Sequence, residues 1–487
     1  MEHVDVVVVG AGISGISAGW HLQRHCPDRS YVILEGRAAI GGTWDLFRYP
    51  GVRSDSDMHT LGFAFQPWVA ERSIAGGESI LRYVEETARE HGIDRRIRFG
   101  HRVQRASWST DDARWTLKGE GPDGEFALTC GFLDLCSGYY DYERGHQPVF
   151  PGAARFRGRI VHPQFWPADL DYAGMEVVVI GSGATAMTLV LAMTGTAAHV
   201  TMLQRSPTYV VSLPARDRVA AWLRGLLPNR AAYRLTRWKN VTLQMIFFRL
   251  ARKRPDQTKK RLLGLVQQAL GPDYDVATHF TPSYNPWDQR LCLVPDADLF
   301  ETIKSGRASV VTDTIETFTE EGIRLASGKT LPADVIVTAT GLELKMAGGI
   351  ALSLDGEPLN LAERLHYKGL MYDGVPNLAT TFGYTNASWT LKADLTALYL
   401  CRLLNTMRKR GLRQATPRND DPAMAEAPFL EFTSGYIGRA AALLPKQGAK
   451  KPWKLNQNYA LDVLALKYGS VDDALVFSNP KRVAQPA

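Results

Sequence analysis

Cysteine is scarce in this chain. The five present, Cys26, Cys130, Cys136, Cys292 and Cys401, are odd in number and form no CxxC pair, which argues against a disulfide framework or a thiolate zinc site and fits a reducing compartment. A cleaved signal peptide with a basic n-region also finds no room, because a strand-like run begins almost at Met1; the expectation is a cytoplasmic protein. Acidic residues are nearly absent from one stretch. Between residues 211 and 270, fourteen Arg or Lys, among them Arg249, Arg252, Lys253, Arg254, Lys259, Lys260 and Arg261, are opposed by Asp217 and Asp256, so the segment carries 14 − 2 = +12; with +7 for the whole chain, the remainder carries 7 − 12 = −5. Residues 177–198 lack charge altogether and are long enough to cross a bilayer, but their interior GSGATA predicts a buried strand followed by a helix packed on a sheet.

What is present is the composition of an ordinary soluble globular protein: 487 residues, 45% hydrophobic and 22% charged, enough for two or three domains. The basic stretch interleaves its cations with Trp222, Tyr233, Trp238, Phe247 and Phe248 at roughly helical spacing, as amphipathic helices with a basic face do. Two readings follow: a solvated helical surface near a phosphate-bearing cofactor, or attachment to an anionic membrane surface. No recognisable nucleic-acid-binding module accompanies it, and no nucleic-acid partner is expected.

Residues 4–9, VDVVVV, read as a strand buried on both faces. Gly10, Gly12 and Gly15 follow at GxGxxG spacing: Gly10 for the tight turn, Gly12 for close approach to a pyrophosphate, and Gly15 for packing of the next helix, with the amides near Ser14 facing the phosphates. A second strand, YVILE, ends at Glu35, twenty residues beyond Gly15, where a carboxylate accepts both ribose hydroxyls and repels a 2'-phosphate. This site suits FAD or NAD. Beyond it, Gly41, Gly42, Thr43 and Trp44 run into DLFRYPGVRSD, a loop that cannot be a regular helix.

Here the chain resembles the class B flavoprotein monooxygenases, and within them the Baeyer–Villiger monooxygenases. Gly41, Gly42, Trp44, Tyr49, Pro50, Gly51 and Asp55 fill their N-terminal pattern [A/G]GxWxxxx[F/Y]P[G/M]xxxD. The resemblance implies that Gly42, Thr43, Trp44, Asp45 and Leu46 lie along a flavin, that Arg53 and Ser54 join the cofactor site, that Asp55 reaches the active site, and that Val103 in the hairpin HRVQRASW meets the adenine. Asp55 also reads as a plain turn or N-cap residue within SDSD.

Residues 156–167, FRGRIVHPQFWP, show no periodicity and read as a structured connector. They match the FxGxxxHxxxW[P/D] fingerprint of the same family at Phe156, Gly158, His162, Trp166 and Pro167. His162 could be a general base; the favoured reading is a hinge whose ring is satisfied by backbone groups. A second turn, Gly181, Ser182, Gly183, Ala184, Thr185 and Ala186, gives GxGxxA after another strand. Its ribose position holds no acid. Gln204, Arg205 and Ser206 stand there, and Arg205 can pair with a 2'-phosphate, which makes the second cofactor NADPH.

After the basic segment, the loop YNPWDQR places Arg290 where the family carries an active-site Arg, with Gln289 in place of the Lys common before it. A fixed guanidinium would stabilise negative charge on oxygen, with Asp55 holding it. The strand DVIVTATG at 334–341 is expected to return the chain to the first domain, and a helix starting near Ser388 to face the flavin. The tail, including KPWKLNQNY, resembles the ethionamide-activating branch of the family, which oxidises ketones and thioamide sulfur.

The expectation is therefore an α/β protein with two Rossmann-like domains: FAD held by residues 1–145 and 335–487, NADP by residues 146–334, and a basic helical insertion at about 211–280. The resemblance implies an NADPH- and O2-dependent Baeyer–Villiger monooxygenase acting through a C4a-peroxyflavin on a small ketone or sulfur compound. The alternatives are an N- or S-oxygenating flavin monooxygenase without ketone activity, and a non-catalytic nucleotide-binding or membrane-surface flavoprotein. A disulfide reductase would need a redox cysteine pair near the flavin, and residues 41–57 contain no Cys.

Overall fold

The computed structural model describes residues 1–289, 291–432 and 434–480. Two sheets organise them. The larger has nine strands and is assembled around Gly124–Leu135, a strand long enough to serve two neighbourhoods. One stretch of it pairs antiparallel with Arg114–Gly121, which continues to Arg102–Ser109 as a meander. It also pairs parallel with Glu2–Val9, which pairs with Tyr31–Leu34, and its last residues pair parallel with Leu378–Thr380. The β-branched run at 4–9 is buried, as a strand covered on both faces must be. Helix Trp389–Arg410 packs beside helix Ile13–His25, and the Ser17 hydroxyl donates to buried Asp394 across that contact at 2.6 Å.

The smaller sheet is wholly parallel, in the order Ala308–Thr312, His199–Gln204, Glu176–Ile180, Val335–Thr338, Arg159–Val161. Two expectations change here. Strand Val335–Thr338 belongs to this sheet, between Glu176–Ile180 and Arg159–Val161, so the return to the larger body comes after Gly341 and not at 335. Aperiodic as it looked, the connector also supplies an edge strand, Arg159–Val161. Its three residues are too short a window to show alternation.

The uncharged run 177–198 is strand and helix, Glu176–Ile180 then Ala184–Met193. Among the described residues, no helix is long and apolar enough to cross a membrane. The basic segment folds as helices Arg218–Leu226, Asn229–Lys253, Pro255–Leu270 and Val276–Phe280.

Two strands form the joint between the bodies. Outgoing Tyr140–Gly145 pairs antiparallel with returning Leu342–Leu344. The buried ring of His162 closes this joint: its Nδ1 accepts the Gln164 amide at 3.2 Å, which leaves the proton on Nε2 to donate to the Gly341 carbonyl at 3.2 Å. Burial holds the imidazole below its ordinary pKa, so the ring is neutral near pH 7. A Cβ at Gly145 would lie 2.1 Å from His162 Cε1, so glycine is needed for the ring to sit there. Phe156 packs on Phe318 and Trp166 on Tyr172, while a Cβ at Gly158 would meet the Asp334 carbonyl at 2.1 Å.

Candidate functional site

A cleft of about 640 Å³ opens where the first glycine turn, the 41–56 loop and the start of helix Trp389–Arg410 meet. Its floor is backbone. Gly10 has φ +105, and a Cβ there would lie 2.7 Å from the Cys136 carbonyl; a Cβ on Gly15 would strike the Gly10 carbonyl at 1.9 Å. Helix Ile13–His25 begins at Gly12 with no side-chain cap, so its first amides are free for an anion. Gly42, at φ +55, faces Gly12 from the opposite loop.

Glu35 is buried at the cleft wall. Its carboxylate accepts the Ala11 amide at 2.7 Å and the Arg37 amide at 2.9 Å, and burial pushes its pKa upward. The two amides orient it, and a carboxylate retains acceptor capacity for ribose hydroxyls. An uncapped 13-residue helix, a side-chain-free approach and an oriented carboxylate all open on one cleft; this donor set fits FAD.

Thr43, Trp44, Leu46, Ser54, Asp55 and Val103 line the same cleft, with Gly10, Gly12, Ser14 and Gly42. Two residues assigned to the cofactor are engaged elsewhere. Asp45 is held by Arg37 and Arg48, and Arg53 reaches across to Asp298 at 2.7 Å, tying the loop to the nicotinamide body. The Asp45 pairs are local, but Asp298 is 245 residues from Arg53, and the motif carries no sign of that contact. Asp55 is not the N-cap of the short helix that follows; Asp57 is, accepting the Thr60 amide at 3.1 Å.

Sequence reasoning missed the aromatic wall. Tyr139, Tyr140, Tyr142, Tyr384 and Trp389 line the cleft. Tyr139 lies at 5.2 Å from Trp389 with rings nearly parallel, and Trp389 Nε1 donates to the Ser14 hydroxyl at 2.8 Å. The pair YY in CSGYY and the W of NASW were visible, but nothing in their spacing joins them. Ser388 immediately precedes the first residue of helix Trp389–Arg410, where the start was expected.

At the second turn, Gly181 has φ +141, and a Cβ there would lie 2.4 Å from the Ala339 carbonyl; Gly183 has open space and begins helix Ala184–Met193 without a cap. Ala186 is buried in the position of the third glycine. Ser182 is within 3.0 Å of the Thr208 hydroxyl. Arg205 and Ser206 are exposed at the end of the neighbouring strand, whereas Gln204 turns inward, donating to the His279 carbonyl at 2.8 Å and the Thr312 hydroxyl at 2.9 Å. An uncapped helix beside an exposed guanidinium fits a dinucleotide with a 2'-phosphate.

The two sites are fastened together by the 47–52 loop. Buried Tyr49 lies beside Thr185 on the second turn's helix, and burial raises its pKa. Gly51, at φ +73, fits against that helix so closely that a Cβ would come within 2.6 Å of Ala192 Cβ. Arg290, the expected cation, lies outside the described residues. The loop before it is anchored by Tyr209, whose hydroxyl donates to the Tyr284 carbonyl at 2.7 Å, and by the Arg252–Asp288 pair at 2.7 Å.

Comparison with known proteins agrees with this construction. Residues 8–71 match the NAD(P)-binding Rossmann-like domain family and residues 74–231 the flavin-binding monooxygenase-like family. The chain is 53% identical over 487 residues to the FAD-containing monooxygenase EthA of Mycolicibacterium smegmatis, covering 100% of this chain and 99% of the relative. It is 55% identical over 473 residues to EthA of Mycobacterium tuberculosis, 97% of each chain. It is also 49% identical to the probable FAD-binding monooxygenase AlmA of Acinetobacter baylyi, over 99% of this chain and 97% of the other. A steroid monooxygenase bound to NADP shares the fold with a TM-score of 0.74 at 23% identity, over 98% of this chain and 100% of that one. The fold and its two sites thus define an FAD- and NADP(H)-dependent monooxygenase. The chain belongs to the class B flavoprotein monooxygenases, in the group formed by EthA, MymA and AlmA.

Proposed function

We propose that this monooxygenase uses NADPH and O2 to place one oxygen atom on the sulfur or nitrogen of a small molecule. When bound, FAD and NADPH supply the redox chemistry, hydride donation and activation of O2. The chain's own residues bind and orient: the amides after Gly12 and Gly183 take the pyrophosphates, Glu35 takes a ribose, Arg205 takes the 2'-phosphate, and the Tyr139–Trp389 wall excludes water.

The reading is supported by kinship and by the tail: the chain is 53–55% identical to the FAD-containing monooxygenases EthA over nearly its whole length, and KPWKLNQNY resembles the ethionamide-activating branch, whose acceptors include thioamide sulfur. Oxygen insertion beside a ketone carbonyl builds negative charge on oxygen and needs a fixed cation. Transfer to a soft, electron-rich sulfur or nitrogen does not.

A second reading, Baeyer–Villiger oxidation of ketones to esters or lactones, is favoured by the connector residues Phe156, Gly158, His162 and Trp166 and by Asp55 in the cleft wall. In that reading Arg290 is the cation and Asp55 orients it. One panel separates the two: thioethers, thioamides and tertiary amines against linear, cyclic and aryl ketones, scored by substrate-dependent NADPH consumption and oxygenated product. Heteroatom kcat/KM above ketone kcat/KM by about tenfold or more, a difference of roughly 1.4 kcal/mol in barrier, supports the first reading. Esters or lactones formed at equal or higher efficiency overturn it in favour of the second.

A further inference from the structure

Helix Asn229–Lys253 has one cation on its buried side and a run of large apolar residues on its outer one. Tyr233, Arg237 and Val241 are on its buried side, and Arg237, 6% exposed, donates to the carbonyls of His59 at 3.0 Å, Thr60 at 3.2 Å and Gly62 at 2.7 Å, with the Asp394 carboxylate at 3.5 Å. The helix is thereby clamped to the FAD body by a cation. Its outward side carries Leu235, Trp238, Leu243, Ile246 and Leu250, all about half exposed. At 100° per residue these five fall within an arc of about 140°, so they form one stripe. The helix before it, Arg218–Leu226, adds Val219, Trp222 and Leu226 at spacings of three and four, with Trp222 63% exposed. More than half of the large apolar side chains exposed among the described residues lie between 213 and 265, a concentration that scattered surface apolar residues do not show.

Positive charge surrounds this face. Arg218, Arg230, Arg234 and Arg249 are exposed on these two helices, and Lys260 and Arg261 on the next, Pro255–Leu270; none of the six makes an ion pair among the described residues. Of the two acids in the segment, Asp217 is neutralised by Lys239 and caps its helix. The face therefore offers leucines, two tryptophans and free guanidinium and ammonium groups together, which is the chemistry of a helix lying in a bilayer interface. A second copy of the chain is a poor occupant, since an isologous contact would bring two strongly basic segments together.

We propose that the outward face of the 218–253 helices seats the enzyme on an anionic lipid surface, with Trp222, Trp238 and the leucines at the headgroup boundary and the exposed arginines on the phosphates. The protein lies on the membrane and does not span it. The proposal is independent of which acceptor atom the active site prefers.

The test uses the FAD-loaded enzyme and vesicles of phosphatidylcholine with or without phosphatidylglycerol. At about 50 mM salt the protein is expected to sediment with the phosphatidylglycerol vesicles and to show a blue shift of tryptophan emission; at about 500 mM salt binding weakens by roughly tenfold or more, as screened electrostatics require. The Trp222→Ser/Trp238→Ser double variant and the Arg234→Glu/Arg249→Glu double variant should each lose vesicle binding by about tenfold while keeping FAD content and NADPH consumption in solution. Wild-type enzyme that stays in the supernatant at low salt overturns the proposal. So does binding that neither double variant weakens, or association that light scattering assigns to self-assembly or an acidic protein in the absence of any vesicle binding.

Discussion

Replacing His162 separates a hinge from a general base. The imidazole accepts the Gln164 amide at Nδ1 and donates from Nε2 to the Gly341 carbonyl, both at 3.2 Å, with Gly145 beneath the ring. In His162→Ala, two backbone groups at a buried joint lose their partners, at about 1 kcal/mol each, and the empty ring space adds a similar amount, for roughly 3 kcal/mol in all. That energy is lost at the two-stranded joint between the FAD and NADP bodies, so the expected defect is in how they meet. Three measurements read it on the purified variant: FAD content, the ratio of oxygenated product to NADPH consumed, and kcat/KM across about pH 6 to 9. FAD should be retained, kcat/KM should fall about tenfold, and hydrogen peroxide release should rise at the expense of product. The pH profile should keep its shape, because the buried ring is already neutral and exchanges no proton in turnover. His162→Asn, which can restore one of the two hydrogen bonds, should recover part of the coupling. Loss by a factor of roughly a thousand together with disappearance of an acidic limb would refute the hinge and establish a base.

Three further outcomes are expected. Arg205→Ala removes a charge-assisted contact of about 2 kcal/mol, so KM for NADPH should rise roughly 30-fold with little change for NADH; equal effects on both cofactors contradict the assignment. Gly51→Ala places a Cβ 2.6 Å from Ala192 at φ +73 and should cost about 1–3 kcal/mol with poorer coupling, whereas Gly264→Ala, in open space on helix Pro255–Leu270, should stabilise by about 0.5–1 kcal/mol. His366 is buried with neither ring nitrogen hydrogen-bonded, and burial, then the Lys392 charge, push its pKa down to about 3. The unfolded chain binds that proton below about 6.5 and the folded chain does not, so stability is full above pH 6.5 and falls as pH drops from there toward 3, by about 2 kcal/mol at pH 5. His366→Leu should flatten denaturant-measured stability over that window; an unchanged acid dependence contradicts it.

What was legible in the sequence was local. Both glycine turns were marked by their strand–turn–helix setting, Glu35 and Arg205 by their distance from the turns, and the flavin-side helix by the switch to helical spacing after Ser388. What was not legible depends on partners hundreds of residues away. Gly51 looks like any turn glycine until helix Ala184–Met193 is set against it. The role of Tyr139 beside Trp389 requires a contact between two elements that share no motif. Arg237, one of the fourteen cations of the basic segment, is buried and bonded to three carbonyls; a basic residue on the wrong side of an amphipathic helix was the available signal. The 334–341 strand was assigned to the wrong body because a parallel strand gives the same buried, β-branched pattern in either sheet.

FAD and NADPH, held at two sites joined near His162, are expected to put one atom of O2 onto a bound acceptor. The most direct measurement is a single turnover: FAD-loaded enzyme is bleached anaerobically with NADPH, then mixed with isotopically labelled O2 and an excess of a thioether and a ketone together. Bleaching is expected, followed by close to one labelled oxygen per NADPH in product, principally sulfoxide. Reoxidation that yields only hydrogen peroxide, or product oxygen that comes from water, would contradict that expectation.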